Sequence, residues 1–138
     1  MIQTRYLEFT TRIGEFLNIT DMVISELIES GLRSGLATIF VPGATGAITT
    51  IEYEKGLLED MKAALERWAP IDIEYFHDAR WHNGNGHSHV RASLIGPSLT
   101  IPFSEGKLML GTWQQIVFLE MDNRPRHRRI IMQLMGEL

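Results

Sequence analysis

Polar and apolar positions alternate near the start of the chain. Ile2, Thr4, Tyr6 and Glu8 fall on one side, and Gln3, Arg5, Leu7 and Phe9 on the other. The β-branched and aromatic content of this stretch predicts a strand. Asn18 followed by Asp21 marks a helix start, because the amide side chain can cap a free N–H and the acid sits in the first turn. Met22, Val23, Leu27 and Ile28 then recur at helical spacing. Gly31 can stop that helix in a left-handed conformation. Leu36 to Val41 is a short apolar run, predicted as a buried strand, and Pro42, Gly43 and Gly46 punctuate it. Ala47 to Ile51 is predicted as the next strand. Leu57, Leu58, Met61, Leu65 and Trp68 form one stripe of a second helix, which Pro70 ends.

From His87 onward the period changes. Short alternating segments, separated by Gly, Pro and Ser, predict strands over His87–Ile95, Leu99–Phe103, Lys107–Leu110, Gln114–Met121 and His127–Leu134. A helix-containing half followed by a β-rich half predicts an α+β fold with helices covering an antiparallel or mixed sheet.

Composition narrows the setting. The chain has 138 residues, 44% of them apolar, within the range of one domain spanning 1–138. A chain of this length hides roughly two thirds of its unfolded surface. It contains no cysteine, which fits a reducing compartment. The net charge of -4 lacks the basic footprint of a nucleic-acid binder. No stretch approaches the ~20 apolar residues of a membrane helix, and the first residues lack the apolar run of a signal peptide. The expectation is a soluble, cytoplasmic single domain.

Four of the five histidines cluster at positions 77, 82, 87 and 89. On the predicted strand, His87, His89 and Arg91 would share one face, and Ser88, Val90, Ala92 and Leu94 the other, apolar one. Two imidazoles at i and i+2 of a strand can reach one metal ion, and His77 is the candidate third ligand. A divalent ion such as Zn²⁺ takes imidazole and carboxylate donors and keeps a position open for chemistry. Glu52 and Glu120 are the carboxylates that could complete the set or move a proton. Arg91 could stabilise charge on a leaving group. A solvated histidine pair is the plainer alternative. His82, among Trp81, Asn83, Gly84 and Asn85, is expected in an exposed loop, and His127 in a basic run with Arg124, Arg126, Arg128 and Arg129 that forms a solvated or intersubunit surface and only secondarily an anion site.

Other segments carry weaker signals. Pro42 to Ala47 could offer backbone N–H groups to an anion, with Thr45 and Thr49 as hydroxyl donors, or could simply be a tight connection that needs glycine conformations. The absence of Gly-Lys-Ser/Thr excludes a Walker loop. Trp113 is expected in the core or at a subunit contact, and at most one of Gln114 and Gln115 in a site. No Ser-His-Asp or Cys-His arrangement can be built.

Ordered motifs along most of the chain resemble a known family. Phe40-Val41-Pro42-Gly43-Ala44-Thr45-Gly46-Ala47-Ile48-Thr49-Thr50-Ile51-Glu52 is similar to F-V-P-H-T-T-A-A-I-T-I-N-E. Asn85-Gly86-His87-Ser88-His89-Val90 resembles N-A-H-A-H-L, and Tyr75 and His77 match Y-x-H. Gly96-Pro97-Ser98 and Pro102 resemble the next turn and strand. Leu110-Gly111-Thr112-Trp113-Gln114-Gln115-Ile116 through Glu120 and Asp122 is close to L-G-T-W-Q-Q-I…E-x-D. Pro125-Arg126 with Arg128 resembles the closing G-P-R-x-R. On these residues the chain is identified as a member of the YjbQ-like family. The resemblance implies a compact two-layer α+β sandwich with covering helices, a homotrimer, and a metal site using His77, His87, His89, Glu52 and Glu120. It also implies a link to thiamine phosphate synthase activity, a transferase reaction joining a pyrimidine diphosphate to a thiazole phosphate, with the native substrate unsettled. A non-catalytic metal- or anion-binding trimer is the alternative. The departures that bear on the implied site are Gly43, which stands for a histidine, Ile51 for an asparagine, and Asn83-Gly84 for an acidic pair.

Overall fold

The computed structural model describes residues 1–138. Eight strands and four helices follow one another as β1 (Ile2–Thr11), β2 (Phe16–Asn18), α1 (Thr20–Ser30), β3 (Ser34–Phe40), β4 (Gly46–Glu52), α2 (Lys55–Trp68), α3 (Phe76–Trp81), α4 (Gly86–Ile95), β5 (Ser98–Ser104), β6 (Lys107–Leu108), β7 (Gln114–Glu120) and β8 (Arg126–Glu137). They build a five-stranded sheet ordered β1-β8-β3-β5-β6 and a three-stranded sheet ordered β2-β7-β4. Every pairing is antiparallel. The α+β sandwich with covering helices is the observed fold.

Alternation sets the layers. On β1, Leu7 is buried and Phe9 half-buried, while Ile2, Tyr6 and Glu8 are exposed. On β8, Ile130, Met132 and Leu134 face the same core. They pack against Ile48, Ile116 and Phe118 of the small sheet and against Val23 and Leu27 of α1. A second core lies on the other side of the small sheet. There Ala47, Val117 and Leu119 meet Leu65 of α2 and Ala92 of α4. β7 serves both cores, so its residues from Ile116 to Glu120 are all buried. That explains its continuous apolar run, where a one-sided strand would alternate.

α1 starts and stops as the sequence predicts. Asn18 Oδ1 accepts the Thr20 N–H at 3.1 Å, and Gly31 closes the helix at φ 73°. Ile28, however, is exposed. α2 is capped by Glu54, whose carboxylate accepts the N–H groups of Gly56 and Leu57. Of its stripe, Leu65 is buried and Leu58 and Met61 pack beside it, but Trp68 points to solvent.

The main correction concerns residues 87–95. The predicted strand is helix α4. His87-Ser88-His89-Val90 alternates over four residues, but Ser88, Ala92 and Ile95 keep a helical spacing, and Ala92 and Ile95 bury against the small sheet. The helix start is held from outside: Asp78 Oδ1 of α3 accepts the Gly86 N–H at 2.8 Å. Gly86 is packed so closely that an added Cβ would lie 2.5 Å from Tyr75 Cβ. The short helix α3 has no counterpart in the sequence prediction. Trp113 is exposed at 71%, so it is not part of this chain's core.

Candidate functional site

A cleft of about 560 Å³ opens where α2 and α4 meet the end of β7. Its wall includes Phe16, Lys62, Leu65, Glu66, Ile71, His87, Arg91, Glu120 and Asp122. His87 and Arg91 lie four residues apart on α4 and so share one helix face. Arg91 is fixed by two bonds, with Nε donating to the Ala69 carbonyl at 2.9 Å and Nη2 to Glu66 at 2.6 Å. The Lys62 ammonium stands 5.7 Å from the centre of the Phe16 ring.

His87 is 6% exposed. Burial, with the neighbouring Arg91 charge, holds its pKa below the ordinary 6.5. The shift favours the uncharged imidazole, which can accept a proton at one nitrogen and donate at the other. Its Nε2 lies 3.4 Å from Ser88 Oγ.

The floor of the cleft is a buried ion network. Arg128 Nε and Nη2 grip Glu120 at 2.8 and 2.5 Å. Thr11 Oγ1 donates to Glu120 at 2.7 Å, and the Asp122 N–H donates to its other oxygen at 3.0 Å. Asp122 receives the Thr45 hydroxyl at 3.2 Å, the Asn85 amide at 3.3 Å and Arg126 Nη1 at 2.5 Å. Burial works to raise the Asp122 pKa, but these donors and the Asn123 N–H outweigh it and hold the carboxyl below its usual range. Both oxygens of Glu120 are committed, which suits a structural anion better than a proton carrier.

The structure divides the histidines that a strand would have aligned. On helix α4 residues i and i+2 diverge, because each residue turns the chain by 100°. His87 enters the cleft, whereas His89 turns toward α3 and meets His77, with ring centres 4.3 Å apart and planes tilted 41°. His89 is also held below the ordinary value of 6.5, by burial and by the adjacent His77. His77 Nδ1 is buried without a hydrogen-bond partner. Beside His89 is a small hollow of about 170 Å³ lined by Gly43, Ala44, Ser93 and Pro97. No three His, Asp or Glu side chains in the chain are spaced to hold one ion. His77 and His89 are thus neighbours of each other, while His87 lines the cleft.

Glu52 stands outside the site. β4 pairs with β7 so that Gly46 lies opposite Glu120 and Glu52 opposite Gln114. Six strand residues separate those ends by roughly 20 Å. The Gly-rich connection is also redefined. Thr45 is buried in the ion network, accepting Arg128 Nη2 at 3.0 Å, and Thr49 lines a different hollow beside β5. Neither glutamine enters the cleft. Gln114 bonds Gly111 and Thr50, and Gln115 accepts from Asn18. His82 and His127 are exposed, as expected. Asp122, Glu66 and Lys62 are the cleft residues that sequence reasoning passed over. Asp122 was within reach, two places after Glu120 in the E-x-D motif.

A β-sandwich carrying a His/Arg cleft on a covering helix, with an E-x-D and R-x-R floor, defines the class. Residues 5–137 match the model of the UPF0047 protein YjbQ-like family, and the chain belongs to that family. A UPF0047 protein of Methanothermobacter thermautotrophicus is 42% identical over 128 residues, covering 93% of this chain and 87% of that protein. YugU of Bacillus subtilis is 34% identical over 137 residues, covering 99% and 100%. Among solved structures, a YbjQ-like protein of unknown function from Sulfolobus solfataricus is similar at TM-score 0.89 and 30% identity, covering 99% of this chain and 100% of that one.

Proposed function

We propose that the chain is an enzyme acting on a small phosphorylated molecule, with the cleft beside His87 as its active site. One observation carries the reading: a buried imidazole biased to its uncharged form and an anchored guanidinium, one turn apart on α4, converge on a cleft large enough for a small metabolite. Arg91 and Lys62 would hold the phosphoryl charge. His87 would accept or return a proton. Phe16, Leu65 and Ile71 would cover the apolar part of the substrate.

The family resemblance supplies the candidate reaction, a thiamine phosphate synthase-like transfer. In it the carbon–oxygen bond to the diphosphate breaks, the diphosphate leaves with the electron pair, and the thiazole nitrogen forms the new carbon–nitrogen bond. Charge grows on the departing diphosphate, where Arg91 and Lys62 would be most useful. In this role Glu120 holds the floor, and Glu52 takes no part.

A divalent metal such as Zn²⁺ belongs to the proposal only at the His77–His89 pair, and no step is drawn through it. Two further parts rest on the same reading. The homotrimer is supported by the outer face of the large sheet, where Ile2, Tyr6, Leu36, Phe40 and Met135 are exposed. A cytoplasmic setting is supported by the lack of cysteine, and no helix is long and apolar enough to cross a membrane.

The test is turnover of the pyrimidine diphosphate with the thiazole phosphate, followed as diphosphate release. Wild type should turn over and His87→Asn should lose most of the rate. Phosphate binding without turnover by any phosphorylated heterocycle tried would favour the alternative, a non-catalytic anion-binding protein.

A further inference from the structure

The loop that leads into α4 contains two successive Asn-Gly steps, Asn83-Gly84 and Asn85-Gly86. Asparagine followed by glycine is the sequence most prone to succinimide chemistry, because glycine leaves its own amide nitrogen unshielded. The structure treats the two steps in opposite ways.

Asn83 and Gly84 are both exposed, in a bend outside any helix or strand. The Gly84 N–H donates to no acceptor in the chain, and the Asn83 side chain makes no hydrogen bond. Only the Asn83 carbonyl is engaged, by Asn123 Nδ2 at 3.0 Å. Gly84 sits at φ 67°, and a Cβ there would approach nothing closer than 3.8 Å. The Gly84 N–H is therefore unbonded, on an exposed residue with no close side-chain cover.

Asn85 and Gly86 are locked. The Gly86 N–H is given to Asp78 at 2.8 Å. Gly86 itself is buried against Tyr75, inside the first turn of α4. The Asn85 amide is held by Asp122 at 3.3 Å. A nitrogen bonded to a carboxylate and fixed in a helix cannot rotate onto the neighbouring side-chain carbonyl.

We propose that Asn83 is a site of spontaneous deamidation, and that Asn85 is protected from it by the fold. The Gly84 nitrogen loses its proton and attacks Asn83 Cγ. The new carbon–nitrogen bond closes a succinimide, and the side-chain nitrogen leaves as ammonia. Water then opens the ring at either carbonyl, giving aspartate or isoaspartate. No oxidant or partner enzyme is required. The product adds one negative charge beside Asn123 and Gly84, both of which line the cleft. The modification is independent of the enzymatic reading above, and its test needs no substrate.

The purified protein is aged at neutral to mildly alkaline pH, once folded and once in denaturant, and digested with trypsin. The peptide Trp81–Arg91 carries both asparagines, and fragment spectra locate the amide converted to acid. In denaturant the two should convert at similar rates. In the folded protein Asn83 should convert at least several-fold faster than Asn85. Gly84→Ala should slow the folded-state rate on the order of tenfold, by shielding the nitrogen and straining the left-handed backbone. Asp78→Asn, which weakens the hold on Gly86, should speed Asn85 and leave Asn83 unchanged. Equal rates in the folded protein, or no conversion at Asn83, would overturn the proposal.

Discussion

Replacing Glu120 by alanine tests whether the cleft floor is a structural ion pair. The Glu120 side chain is 0% exposed and Arg128 4%. Removing the carboxylate leaves the Arg128 guanidinium buried with only Thr45 as a side-chain acceptor, and it strips partners from Thr11 and the Asp122 N–H. Breaking a buried pair on one side costs about 3–5 kcal/mol, because the remaining charge keeps its desolvation penalty. Unfolding entropy of about 2.1 cal/mol/K per residue gives roughly 0.3 kcal/mol/K for a chain of this size. Tm should therefore fall by about 10–17 °C. Chemical denaturation checks the free energy and calorimetry the Tm. The double variant Glu120→Leu/Arg128→Met removes both charges and should recover much of the loss. A cost under ~1 kcal/mol for Glu120→Ala, or a double variant as unstable as the single, would refute the reasoning.

Other outcomes follow from the same geometry. His87 and His89 both have pKa values below 6.5 in the folded state, so the unfolded chain binds more protons as pH falls. Their contribution to stability is full above pH 6.5 and is lost as pH falls through 6.5 toward the folded values, and urea midpoints in His87→Asn should lose part of that dependence. Gly43→His should destabilise the chain by about 1–3 kcal/mol, because Gly43 has φ 144° and its new Cβ would stand 3.3 Å from Arg128 Nη1; differential scanning fluorimetry reads it. Zn²⁺ titration should perturb the His77 and His89 rings together by NMR, and the response should vanish in His89→Ala and persist in His87→Asn.

Much of the fold is legible in local pattern. Both long helices and the Gly31 stop announce themselves through nearest neighbours; β7 is legible as a strand, but its burial on both faces, where alternation is expected, comes from the two cores it serves. α4 does not announce itself, because its decisive evidence is tertiary. Ala92 and Ile95 need a sheet surface to bury against, and Gly86 needs the Asp78 carboxylate from another helix. Misreading α4 as a strand rotated the site: it put His87 beside His89, whereas the helix sends one into the cleft and the other onto His77. The ion network was hidden for a similar reason. Thr11 meets Glu120 across 109 residues, and Thr45 meets Arg128 across 83. The basic run near His127 therefore hid a buried residue, since alternation on β8 turns Arg128 inward and leaves Arg129 in solvent.

The most direct test of the proposed site is to titrate inorganic phosphate and diphosphate into the protein while following its histidine ring nitrogens by NMR. The account predicts a saturable shift at His87 that Arg91→Met weakens strongly, with His82 and His127 unmoved. Saturable binding that shifts only His77 and His89, or that leaves His87 unchanged, would contradict it.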